Sequence, residues 1–112
     1  MDASTTINHY AYRVQWSNED GEYVGTCAEF PGLSWLDDSP ALTLNGIQQV
    51  VREAVEDMER NGETIPEPLS DRTFSGRFMV RIPPEDHRKL ALEAAEQGIS
   101  LNRLATHKLT AV

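Results

Sequence analysis

The sequence predicts an α+β chain in two parts: a small sheet backed by one long helix, then a strand followed by two short helices. Three observations predict it. Apolar residues alternate with polar ones in two stretches, near the start and again over Phe74–Ile82. Between these stretches, Leu44, Ile47, Val51, Ala54 and Met58 advance by three and four. The charge also changes sign along the chain, because residues 1–72 hold four arginines against fourteen Asp and Glu, a net −10. Residues 73–112 hold six Arg and Lys against four acids, a net +2. The expected division is therefore 1–72 and 73–112, an acidic body and a mildly basic module with different partners.

Taken in order, His9 to Trp16 is the first strand, with Tyr10, Tyr12, Val14 and Trp16 on one face. Asn18-Glu19-Asp20-Gly21 is a hairpin turn, and Glu22 to Phe30 is the return strand. Pro31-Gly32 breaks it, and Leu33 to Leu36 forms a third short strand. Ser39 caps the long helix, and Pro40 takes the first helical position, where an amide would be orphaned anyway. Val50 and Val55 widen the apolar stripe, while Arg52, Glu53, Glu56, Asp57, Glu59 and Arg60 face water. Asn45-Gly46 weakens the first turns, and Asn61-Gly62 ends the helix. Glu63 to Pro68 then runs extended.

In the second part, Phe74, Phe78, Val80 and Ile82 share one parity, while Ser75, Arg77, Met79 and Arg81 share the other. Pro83 stops the strand because it has no amide to donate. Pro84-Glu85-Asp86 is a helix first turn with acids at the positive end of the dipole. His87, Leu90, Ala91, Ala94 and Ala95 follow at helical spacing, and Gly98 ends the run. Ser100 caps a second helix carrying Leu101, Leu104, Ala105 and Leu109.

About forty residues are too few to bury that apolar face alone, and small units of this kind are completed by association. Pairing two copies of Phe74–Ile82 antiparallel would share Phe78, Val80 and Ile82 inward and offer Arg77, Met79 and Arg81 outward. A two-stranded ribbon fits the DNA major groove, where Arg can bond guanine edges and Met can touch a thymine methyl.

The run Arg77 to Pro84, with Gly98 to Arg103 opening the second helix, resembles the ribbon-helix-helix repressors of the Arc and MetJ type. The resemblance implies DNA contacts from Ser75, Arg77, Met79 and Arg81, and a phosphate held where Ser100, Asn102 and Arg103 begin the helix. It covers about the last forty residues.

The order of strand, strand, Phe30-Pro31-Gly32-Leu33, Asp37-Asp38-Ser39, amphipathic helix and Gly62 to Pro68 is similar to the HicB family of antitoxins. The resemblance runs from about Tyr10 to Leu109. It implies a partial ribonuclease-H-like sheet with one long helix in the first part and a ribbon-helix-helix dimer in the second. It also implies a HicA-type partner, a small basic toxin that cleaves messenger RNA, and autorepression through operator DNA. A −10 body would steer a basic partner electrostatically. The expected toxin contacts are Glu29, Phe30, Trp35, Leu36, Asp37 and Asp38, aromatics beside carboxylates. Each aromatic has core packing as its alternative, and each acid a solvated loop. Whether dimers pair further into tetramers is left open.

A ribonuclease H fold that cleaves needs carboxylates converging on metal ions. The opening strand, Tyr10-Ala11-Tyr12-Arg13-Val14, offers none. His9, His87 and His107 lack ligand spacing, and the single cysteine, Cys27, reads as a structural filler. No metal, cofactor or enzymatic activity is expected. The N-terminus lacks signal-peptide character and no run reaches transmembrane length, so the expected location is the cytoplasm. The alternative from a different class is a stand-alone ribbon-helix-helix regulator whose first domain senses a small ligand.

Overall fold

The computed structural model describes residues 3–111; Met1, Asp2 and Val112, and so part of the N-terminal stretch judged for a signal peptide, lie outside them. The fold is α+β and divides into two units between Phe74 and Ser75.

In the first unit, helix α1 (Ala3–His9) precedes a three-stranded antiparallel sheet of β1 (Tyr12–Ser17), β2 (Glu22–Cys27) and β3 (Ser34–Asp37), ordered β1-β2-β3. Helix α2 (Pro40–Arg60) lies across it. The hairpin turn forms as expected: the Gly21 amide donates to the Ser17 carbonyl at 2.9 Å, and Gly21 adopts φ +65°. Registers Val14↔Gly25↔Trp35 and Trp16↔Tyr23↔Asp37 put alternate residues on the face toward α2. Gln15↔Val24↔Leu36 lie on the opposite face.

Ser39 caps α2, its hydroxyl accepting from the Leu42 amide at 3.1 Å, with Pro40 first in the helix. The core is Ile7, Tyr10, Cys27, Ile47, Val51 and Val55, with Tyr12, Phe30, Leu33 and Ile65 packed against it. The stripe is rotated from its expected position. Leu44 is exposed and Thr43 is fully buried instead, its hydroxyl satisfied by the Ser39 carbonyl at 2.7 Å. Gly25 allows this close packing, since a Cβ there would sit 3.0 Å from Ile47 Cγ2 and from Thr43 Cγ2.

Three expectations for the first unit are corrected. The first strand begins at Tyr12, because the residues before it form α1, held by burial of Ile7 and by the Tyr12 hydroxyl donating to the Ile7 carbonyl at 2.9 Å. The second strand ends at Cys27, where the chain turns: Phe30 N donates to the Cys27 carbonyl at 3.1 Å and Leu33 N to the Phe30 carbonyl at 3.0 Å. Gly46 does not weaken α2 without return. The Trp35 ring lies where a Cβ at position 46 would be, so the helix needs glycine there.

The segment after α2 folds back on the first unit. Ile65 packs on the core, Pro68 is buried, and the Tyr10 hydroxyl donates to the Pro66 carbonyl at 2.7 Å. A short helical turn, Leu69–Asp71, follows, with Ser70 donating to the His9 carbonyl at 2.9 Å and Asp71 against His9 Nδ1 at 2.8 Å.

The second unit contains α3 (Pro84–Gln97) and α4 (Leu101–Leu109). Gly98 takes φ +69° and closes α3, the Ile99 amide reaching back to the Ala94 carbonyl at 3.0 Å. Ser100 caps α4 by accepting from the Arg103 amide at 3.0 Å. Ala94 and Leu104 are the buried contacts between the helices. Phe74–Ile82, expected as a strand, joins no sheet in the single chain, and every residue from 71 to 89 is exposed. A strand needs a hydrogen-bonding neighbour, and the lone chain supplies none. The stretch is also broken at Gly76 (φ +82°), where the Arg77 amide donates to Ser75 Oγ at 3.0 Å. Uninterrupted alternation therefore starts at Arg77.

Candidate partner and nucleic-acid surfaces

In the first unit, the six residues expected to meet a protein partner do not form one flat patch. Glu29 turns inward. Its carboxylate accepts from the Ala11 amide and the Leu69 amide, both at 2.9 Å, tying the start of β1 and the segment after α2 to the end of β2. Burial alone would push its pKa up, but the amides of Leu69 and Ala11 outweigh this and hold it below the ordinary carboxylate value. Phe30 packs edge-on against Tyr10 with centroids 5.4 Å apart.

Trp35 and Asp37 lie on the α2 side of β3, and Leu36 on the other. Asp37 accepts from the Asp38 amide at 2.8 Å, which lowers its pKa, and from Trp35 Nε1 at 3.3 Å. Trp35, Leu36 and Asp38 remain exposed at the sheet edge. Burial pushes the Cys27 thiol up to about 11, so it stays protonated at neutral pH, as a filler would. Sequence reading missed the Trp16–Tyr23 pair, edge-on at 5.1 Å with Trp16 half exposed. Its signal was present in the parity of the first two strands.

Glu29→Gln is expected to destabilise the first unit by about 1–2 kcal/mol, because charge-assisted bonds to two amides become neutral ones. The sign with pH follows from the lowered pKa. The carboxylate's contribution is complete above the unfolded value, about 4.3, and disappears as pH falls through the lower folded value. Urea midpoints of both proteins at pH 7 and at pH 3 check this; a gap of the same size at both would remove the charge from the account.

In the second unit, Phe78, Val80 and Ile82 are 74%, 59% and 41% exposed, beside an open apolar groove of about 620 Å³. The groove is lined by Val80, Ile82, Leu90, Leu101 and Leu109, with Arg81, His87 and Lys108 among the other lining residues. Leu90, Leu101 and Leu109, read as part of an apolar face too large for the module to bury alone, line this open groove. Met79 is 85% exposed, and Arg77, Asn102 and Arg103 are exposed as well. Ser75 Oγ is engaged by the Arg77 amide and Ser100 Oγ by the Arg103 amide. The structure thus leaves the basic side chains of 77–81 free and places an N-capped helix after them.

Among the described residues, no helix is long and apolar enough to cross a membrane. No curated protein and no solved structure matches the chain. A family model described as the HicB family matches residues 59–109, from the end of α2 through the refolded segment to the last turn of α4. That match, over just under half of the sequence, supports membership of the HicB family.

Proposed function

We propose that the chain is a non-enzymatic, cytoplasmic antitoxin whose first unit binds and neutralises a small basic toxin of the HicA type. In this reading the second unit dimerises as a ribbon-helix-helix and represses its own operon. The observation that carries the reading is Arg77–Ile82: alternating, exposed, without a sheet neighbour, and flanked by an apolar groove of its own unit. Two copies related by a twofold axis meet both needs at once, since antiparallel pairing supplies backbone partners and lays each set of Phe78, Val80 and Ile82 on the other's helices. Burying each of these side chains contributes roughly 1.5–3 kcal/mol. Met79 and the two arginines then line the outer face, dimensioned for a major groove.

The acidic first unit supports the other half of the reading. Its charge and the exposed Trp35, Leu36 and Asp38 favour a cationic protein over a nucleic acid. The ribonuclease-H-like character of this unit is part of the same proposal, resting on the order of its strands and long helix.

Arg77→Ala and Arg81→Ala, co-expressed with a HicA-type toxin, test both halves. Protection of growth should persist, while gel shifts on the operator should weaken by about 1–3 kcal/mol per arginine if each reads a base. Equal weakening on scrambled DNA would reduce them to phosphate contacts. Unchanged affinity on both would remove them from the interface.

A further inference from the structure

The groove of the second unit holds a histidine that the functional reading does not use. His87 lines it together with Val80, Ile82, Leu90, Leu101 and Leu109. On α3 its same-face neighbours, three and four residues on, are Leu90 and Ala91, both apolar. Glu85 and Asp86 precede it in the first turn and Arg88 and Lys89 follow it, but immediate neighbours on a helix point in other directions. The charged groups lining the groove from other elements are cations: Arg81 from the extended segment and Lys108 from α4. Lys108 is itself paired with Glu93 at 3.3 Å. A protonated His87 would therefore add positive charge to an apolar groove that already holds the Arg81 guanidinium and offers it no carboxylate.

We propose that His87 makes association through the second unit pH-sensitive, the neutral imidazole permitting it and the imidazolium opposing it. The inference rests on the dimer proposed above. In the single chain His87 is exposed to water. When a second copy covers the groove, water leaves, and by symmetry the partner brings the same cations. Burial and like charge both favour the neutral ring. Dimer formation then releases a proton from each His87 that was charged, so association weakens as the solution becomes acidic.

With two such histidines per dimer, each held neutral on association, the dissociation constant should rise about tenfold between pH 7.5 and pH 6.0. Carboxylates remain ionised across this range and contribute nothing to the change. Sedimentation equilibrium of the full chain measures it. His87→Gln should dimerise with an affinity that no longer changes over the interval. A His9→Gln/His107→Gln double variant, keeping His87 alone, should retain the whole dependence. A wild-type dimer whose affinity is constant or grows toward pH 6.0, or a dependence that survives His87→Gln, would overturn the switch while leaving the dimer standing. Absence of a dimer at pH 7.5 would overturn both.

Discussion

Phe78→Asp is expected to abolish association through the second unit, and with it operator binding. Phe78 is 74% exposed in the single chain, so replacing it removes little from the subunit's own packing. The loss falls on the assembly. Each copy forfeits roughly 1.5–3 kcal/mol of aromatic burial, and each introduces a carboxylate that the closed interface would have to strip of water. Counted for both copies, the dissociation constant rises on the order of a hundredfold or more. Light scattering should report a smaller particle than wild type, with the helical circular dichroism signal retained. A particle of unchanged mass would mean that Arg77–Ile82 is not the joint between copies. Because DNA affinity depends on two sets of arginines held on one ribbon, gel shifts should fail in the same variant even though Arg77 and Arg81 are intact.

Ile47→Ala carries the second large effect, on the first unit. Ile47 is fully buried between α2 and the sheet, directly over Gly25. Truncating it removes transfer free energy and leaves a cavity whose walls are a helix and a hydrogen-bonded sheet, neither free to collapse. The cost should be about 2–5 kcal/mol, read as a lower urea midpoint. Gly25→Ala by itself is also expected to be unfavourable, since its Cβ would stand 3.0 Å from Ile47 Cγ2. In the double variant the contact with Ile47 Cγ2 is gone, while those with Thr43 Cγ2 and the Cβ at position 47 remain, so the crowding is partly relieved. The two costs should then fall short of their sum by about 0.5–3 kcal/mol. Strict additivity would show that the two positions do not share this space.

Much of the first unit could be read from residue order alone. Asp20-Gly21 announced the hairpin, and Ser39-Pro40 announced the start of α2, because turns and caps are decided by a few adjacent residues and their backbone preferences. Gly98 and Ser100 marked the break between α3 and α4 for the same reason. Position across the fold was less legible. Leu44 outranks Thr43 on any scale of hydrophobicity, yet Thr43 is the buried one, since a carbonyl four residues back satisfies its hydroxyl and its small size suits the approach to Gly25. Gly46 looked like a flaw in a helix until Trp35 was found lying on it.

Glu29 was expected on a partner surface because aromatics and acids neighbour it in the sequence. Its two amide donors come from positions 11 and 69, which no local pattern links.

The sequence by itself determined where α2, α3 and α4 begin and end, and the division of charge between an acidic and a basic part. These depend on neighbours a few residues apart and on composition. Only the tertiary structure decided that Glu29 fastens two distant segments, that Gly46 seats a tryptophan, and that Leu90, Leu101 and Leu109 face an open groove. Each of these depends on groups far apart in the chain arriving within a few ångströms of one another, which spacing along a sequence does not encode.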